Sequence, residues 1–139
     1  MYKQFFIGFG LLCLLLFAVG CGNKCGLKGK VVYSDDQTPL EGGEICLVSD
    51  QGIARGTIDK DGNYVVGSVK ANDGLPSGNY RVYLTSTELF EPSPNGGLPK
   101  RIPRIAEKYQ QPETSGLTVE VKSSMTHNIQ VDRYDASKR

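Results

Sequence analysis

Four basic side chains alternate with apolar ones in a short stretch of this 139-residue chain. The basic residues are Lys100, Arg101, Arg104 and Lys108, and the apolar ones are Ile102, Ile105 and Tyr109. Cationic side chains gain about 1 kcal/mol each near an anionic surface, so the pattern suits contact with anionic lipid or an anionic polymer. A structural interpretation stays open beside it: the apolar residues fix the segment over an open sheet edge or end, and the basic residues stay solvated.

The segment around this stretch, residues 88–116, holds five of the seven prolines. Structureless loops of such length are uncommon in compact domains and are usually functional or disordered. We therefore expect residues 88–116 to form a long proline-rich loop that faces a partner, with the four basic residues and Tyr109 as its binding residues.

A second candidate surface centres on Tyr83. The chain has no Trp, the residue on which sugars commonly stack, so a carbohydrate platform would have to use Tyr. Tyr83 lies on the outward side of an expected strand. The alternative for this residue is packing across the strands.

The sequence lacks the residues that several kinds of catalytic or metal site require. His127 is the only histidine, which excludes any site that needs two imidazoles from one chain. Asp59, Asp61 and Asn63 begin like a calcium loop, but the required Gly and the closing Glu are absent, so a hairpin turn is favoured. We expect no catalytic residues, no metal and no cofactor.

The charge balance argues against nucleic acid as a partner. Lys and Arg number 16 and Asp and Glu 15, a formal net charge of +1. Nucleic-acid binders usually carry a basic excess, because phosphate neutralisation supplies most of their affinity.

The N-terminus predicts export. Residues 5–20 carry no charge and follow Lys3, and this stretch is shorter than the roughly 20 residues of a membrane span. It is typical of a signal peptide over residues 1–20. Gly20 and Cys21 resemble the lipobox of bacterial lipoproteins, which implies cleavage before Cys21 and lipid attachment to it. Gly22 in place of Asp favours, by analogy, the outer over the inner membrane.

Residues 21–27 then form a short tether that keeps the domain close to the lipid. Cys25 and Cys46 would be exported to a compartment that permits disulfides. If residues 28–33 pair with residues 44–49, however, Cys46 lies opposite Val31, too far from Cys25 for a bond. This pairing disfavours a disulfide, although a tether that folds back would allow one.

Short alternating runs separated by Gly, Pro, Asn and Asp fill the rest of the chain and predict strands. Seven such runs, with one apolar face each, favour a β-sandwich over residues 28–134 and leave 135–139 as a polar tail. The runs cover residues 28–33, 44–49, 54–59, 63–69, 80–87, 117–121 and 128–133.

Four motifs in order resemble the carboxypeptidase regulatory-like, transthyretin-like domains. They occupy residues 29–32, 38–42, 57–64 and 76–80, and the similarity covers residues 27–133. It extends to small bacterial lipoproteins built around this domain. The resemblance implies an all-β, seven- or eight-stranded transthyretin-like sandwich with an Ig-like Greek key, and no particular activity.

We therefore expect a membrane-anchored, non-catalytic binding or structural module of the bacterial cell envelope. An envelope protein or polymer is the expected partner, beside the membrane contact through Cys21. The alternative is a carbohydrate- or solute-binding lipoprotein. A third reading, the transthyretin-like hydrolase, is disfavoured because that family uses several His, and because the last residues, from Tyr134 to the C-terminus, depart from its terminal motif.

Overall fold

The computed structural model describes residues 23–70 and 72–138. The expected signal peptide and the lipidation residue Cys21 lie outside the described residues. Within them the fold is all-β, with two short 3-10 turns at Glu107–Gln110 and Ala136–Lys138. The second turn lies in the expected polar tail.

Ten strands, numbered here in chain order, form the described part, and each of the seven expected runs overlaps one of them. The remaining three, β6, β7 and β9, were not predicted. The strands are β1 (Leu27–Tyr33), β2 (Glu44–Ser49), β3 (Gly52–Thr57), β4 (Asn63–Val65), β5 (Gly78–Thr85), β6 (Leu89–Glu91), β7 (Lys100–Ile102), β8 (Leu117–Val121), β9 (Met125–Thr126) and β10 (Ile129–Val131).

The first sheet is built around β1. Its strand order is β10-β1-β4, and β9 also pairs with β1. β4 runs antiparallel to β1, whereas β10 runs parallel to it, with Val31 opposite Ile129 and Tyr33 opposite Val131. The first and last strands of the domain are therefore neighbours.

The second sheet is antiparallel throughout, in the order β3-β2-β5-β8. Its long central strands are rich in β-branched and aromatic residues, which strands prefer. A separate ribbon of two strands joins β6 to β7, so that residues 88–116 are not the structureless loop expected from their composition.

The expected pairing of residues 28–33 with residues 44–49 is wrong, because β1 and β2 belong to different sheets. Only a single bridge, Val32 with Pro39, forms where the chain turns back. Gly42 and Gly43 follow with φ of 76° and 112°, conformations that Gly adopts without steric penalty. They redirect the chain away from β1, and β2 enters the other sheet.

Inward side chains of both sheets form one core, as the period-two alternation predicts. Val31, Tyr64 and Val131 represent the first sheet in it, and Leu47 and Val82 the second. All five are at most 2% exposed. Two layers sharing one core are consistent with a β-sandwich.

The folded domain begins before residue 28. Cys25 is 8% exposed and Leu27 1%, and Cys25 exchanges backbone hydrogen bonds of 2.8 and 3.0 Å with Leu75. The expected tether is therefore shorter than residues 21–27, because its second half is already part of the core.

Candidate functional site

The two ends of the domain are distinguished by the course of β5. Near its start, Leu75 pairs with Cys25, and Lys24 Nζ lies 2.5 Å from the Asp73 carboxylate. We call this the proximal end. The eight residues of β5 then extend about 25 Å, at roughly 3.3 Å per residue, to the distal end, where residues 86–116 begin.

Residues 88–116 are anchored at the distal end by their apolar side chains. Ile105 is 0% exposed and Tyr109 6%, and both belong to the main core. Ile102 is half-buried in β7. Ile105 also bridges Arg133, and the Ala106 amide donates to the Asp132 carbonyl at 3.0 Å. The structural interpretation of this segment, apolar residues fixing it over a strand end, is confirmed.

Three of the four basic residues contact their own chain, namely Arg101, Arg104 and Lys108. Arg101 forms an ion pair with Glu88 and a 3.4 Å hydrogen bond to Gln110. Arg104 donates to the backbone carbonyl of Glu41. Lys100 lies exposed at the start of β7. The four basic residues therefore do not form one continuous cationic face.

Lys108 is held by an acidic partner from the end of the chain. Its Nζ lies 2.8 Å from the Asp132 carboxylate, which also accepts from Ser34 at 2.8 Å and Tyr109 at 3.0 Å. The Lys108 ammonium lies 4.8 Å from the centre of the Tyr109 ring. Hydrogen bonds from Lys108, Ser34 and Tyr109 together lower the pKa of Asp132 to about 2.

Tyr83 lies apart from this cluster, on the outer face of the second sheet. It is opposite Cys46 in the β2–β5 register and half-buried. Burial raises the pKa of its hydroxyl. No hydrogen bond or ring contact within the described residues joins Tyr83 to any of the four basic residues Lys100, Arg101, Arg104 and Lys108. The structure therefore favours packing across the strands for this side chain.

Cys25 and Cys46 are both buried free thiols in the structure. Cys25 precedes β1 at the proximal end, whereas Cys46 lies in the middle of β2, opposite Arg55 and Tyr83. Burial raises the pKa of the Cys46 thiol, which disfavours the reactive thiolate at neutral pH.

A cleft of about 570 Å³ opens at the distal end, beside Arg104. Its walls come from four parts of the chain: Tyr33 at the end of β1, Pro39 and Glu41 from the following turn, Pro103 and Arg104 after β7, and Arg133 and Tyr134 after β10. Of the residues that line this cleft, the sequence predicts only Arg104 as a binding residue. The other residues are up to about a hundred positions apart, and no local pattern marks them.

Arg133 is the most constrained side chain of this cleft. Its guanidinium lies 3.7 Å from the centre of the Tyr33 ring, a cation–π geometry. Nε donates to Asp35 at 2.8 Å and Nη2 to Asp36 at 2.9 Å. Asp36 accepts hydrogen bonds from Thr38 as well as from Arg133, and these lower its pKa to about 2.

A larger groove, about 620 Å³, lies elsewhere, along β3 and β4. Ile53 and Val65 are exposed on it. Its arginine, Arg55, has the carboxylate of Glu44 at 3.9 Å, and Lys70 and Asp59 also line the groove.

The expected hairpin turn at residues 59–63 is confirmed. The Asp59 carboxylate accepts the backbone N–H groups of Asp61 at 2.9 Å and Asn63 at 2.8 Å. Gly62 has a φ of 80°. In residues 23–70 and 72–138 no group of three or more His, Cys, Asp or Glu side chains is arranged to hold a metal ion.

Comparisons with known proteins give only remote similarity. No protein-family model matches the chain, and no curated protein matches it. A DUF3823 family protein from Bacteroides ovatus ATCC 8483 has a similar structure, with 21% identity and a TM-score of 0.47. It is matched over 81% of this chain and 46% of its own.

BcpA, the major pilin subunit of Bacillus cereus, is also similar, with 13% identity and a TM-score of 0.48. The match covers 81% of this chain and 31% of the pilin subunit. The chain thus spans less than half the length of either structure, and both neighbours are β-rich.

Over the part of the chain that the structure describes, no helix is long and apolar enough to cross a membrane.

Proposed function

We propose that this chain is a lipid-anchored, non-catalytic binding or structural module of the bacterial cell envelope, with a transthyretin-like domain held to the outer membrane through Cys21. The proposal combines the lipobox-like sequence that ends at Cys21 with the placement of the two ends of the domain.

That placement is the observation that carries the proposal. The four residue-to-residue steps from Cys21 to Cys25 span at most about 14 Å, and Cys25 is buried at the proximal end. A lipid on Cys21 would therefore hold the proximal end close to the membrane. With β5 directed away from the membrane, the distal end lies about one β5 length farther out, roughly 25 Å.

In this orientation the distal end faces away from the anchoring lipid. An envelope protein or polymer is then the partner within reach of residues 88–116 and the distal cleft. Contact of the four basic residues with the anchoring lipid is disfavoured, both by this distance and because Arg101 and Lys108 already have carboxylate partners.

Metabolic labelling with a fatty acid tests the anchor. Cys21→Ser should abolish the lipid label, and the chain should keep the apolar residues 5–20, because cleavage before residue 21 also depends on Cys21. Cys13→Ser is the matched control, because Cys13 lies inside the apolar stretch and its replacement should affect neither the label nor the cleavage. Retention of the label in Cys21→Ser would overturn the proposed anchor.

A further inference from the structure

Arg104 differs from the other described arginines in having no carboxylate partner. Arg55, Arg81, Arg101 and Arg133 each lie within 4.0 Å of a described Asp or Glu side chain. For Arg104 no such ion pair forms within residues 23–70 and 72–138, and its side chain donates its one hydrogen bond there to the Glu41 carbonyl. Since Arg stays charged at any ordinary pH, its charge lacks a counter-ion here.

Arg104 is partly exposed at the cleft. The residue is half-buried, and its hydrogen bond to the Glu41 carbonyl lies in an exposed setting, so water still reaches its guanidinium. A single carbonyl occupies one Nη nitrogen of the guanidinium. The other nitrogens remain available to a planar, two-oxygen acceptor, the geometry that Arg binds best.

A second guanidinium lines the same cleft. Nε and Nη2 of Arg133 are used by Asp35, Asp36 and Thr38. Nη1 makes no hydrogen bond with any described residue. Stacking on Tyr33 and the ion pairs fix this side chain in place, so binding a ligand would require little loss of side-chain freedom.

The cleft has the volume of a small-molecule site, but it is more open and more polar than most such sites. Its volume, about 570 Å³, lies within the range typical of ligand pockets, roughly 300–1,000 Å³. Pro39 and Pro103 give it rigid apolar walls, and Glu41 is the one acidic residue that lines it. The ion pairs with Asp35 and Asp36 offset the charge of Arg133, so Arg104 supplies the unpaired positive charge of the lining.

We infer that the distal cleft binds a small organic carboxylate, with Arg104 as the residue that holds the carboxylate group. Arg133 Nη1 adds a second donor, and the proline walls contact the body of the ligand. This inference rests on the proposed binding function and identifies the chemical class of its ligand. Sugar acids and peptide C-termini both carry such a carboxylate, and the probes below separate these two sources.

The test is a titration of the full-length chain, purified in uncharged detergent, with backbone and Arg side-chain resonances followed by NMR. The probes are glucuronate and N-acetylalanine, each with its uncharged match, glucose and N-acetylalaninamide. Binding of either acid at the Arg104 and Arg133 resonances, with its neutral match at least about tenfold weaker, is expected, since a charge-assisted bidentate contact is worth this much. The acid that binds more tightly identifies the source.

Three variants sharpen the test. Arg104→Gln should weaken binding about tenfold while still donating to the Glu41 carbonyl. Glu41→Gln should strengthen binding, because it removes the only acidic group of the lining. Arg81→Gln is the matched control: Arg81 is exposed and pairs with Glu113 outside the cleft, so affinity should not change.

Two outcomes would overturn the inference. In one, neither acid shifts the Arg104 or Arg133 resonances at concentrations of tens of millimolar. In the other, Arg104→Gln and Arg81→Gln weaken binding equally, which indicates a nonspecific charge effect. Both results are independent of fatty-acid labelling at Cys21, so failure of the cleft and failure of the anchor can be told apart. Unchanged melting temperatures of the variants confirm that they fold.

Discussion

The hydroxyl of Thr87 is buried without a hydrogen-bond partner among the described residues. Thr87 is 1% exposed, and an unsatisfied buried polar atom destabilises the folded state. Replacement by Val keeps the shape and removes the hydroxyl. We expect Thr87→Val to raise the free energy of unfolding by about 1 kcal/mol, as measured by urea denaturation.

Thr85→Val is the matched control for this substitution. The Thr85 hydroxyl donates to Glu44 at 3.3 Å and lies 3.8 Å from the Cys46 sulfur. Its removal should lower the free energy of unfolding by about 1 kcal/mol. If both substitutions destabilise the protein equally, the Thr87 hydroxyl has a partner that the structure does not show.

Asp132 should make the stability of the distal end dependent on pH. Its pKa is about 2 in the folded protein, against an ordinary value of 3.8. A lowered pKa means that the ionised form stabilises the fold: the contribution is complete above about pH 4 and is lost as the pH falls towards 2.

Comparison with Asp132→Asn measures this effect. The variant should be less stable than the native chain near neutral pH by at most about 1 kcal/mol, because about half of the Asp132 side chain is exposed to solvent. The difference should shrink between pH 4 and pH 2. A stability difference that stays constant over this range would contradict the assigned role of the carboxylate.

At the scale of elements, residues 88–116 combine a buried anchor with an exposed ribbon. Ile105 lies in the core, whereas Phe90 in β6 is 63% exposed. Ile105→Ala should therefore lower the free energy of unfolding by about 2–4 kcal/mol. Phe90→Ala should change it by less than about 0.5 kcal/mol. Calorimetric melting of both variants checks the contrast, and equal effects would place the anchor elsewhere.

The sequence predicts most strands of this domain because their inward faces alternate with polar residues. Its structural interpretation also names Ile102, Ile105 and Tyr109 as anchors of the basic segment, and of these Ile105 and Tyr109 are buried whereas Ile102 is half-buried. The ribbon of β6 and β7 escapes prediction because each strand has three residues and most of its side chains are exposed. Such short pieces carry no periodic signal.

The pairing of strands that lie far apart in the chain could not be predicted from the sequence either. The expected hairpin of residues 28–33 and 44–49 follows the rule that consecutive strands are usually neighbours. Here the turn at Gly42 and Gly43 directs β2 to the other sheet, and β1 pairs with β10 instead. The distal cleft depends on this same pairing, because it brings Arg133 to Tyr33.

For the whole molecule, the proposed anchor makes the two ends unequal in their distance from lipid. Fluorescence quenching measures this difference. A fluorophore is attached either to Ser123→Cys, at the proximal end, or to Asn95→Cys, between β6 and β7, and the protein is bound to vesicles whose lipid headgroups carry a quencher. Ser123 should be quenched strongly and Asn95 weakly. Cys25 and Cys46 are buried and should not react with the label. Equal quenching would contradict an outward-facing distal end.

The parallel contact of β1 with β10 also determines the order in which the chain can fold. Val31 and Ile129 are neighbours in the first sheet but are separated by nearly the whole length of the domain, and such distant contacts form slowly. A chain that is threaded N-terminus first across a membrane delivers β10 last. Under the proposed export, the first sheet therefore cannot be completed until β10 has crossed.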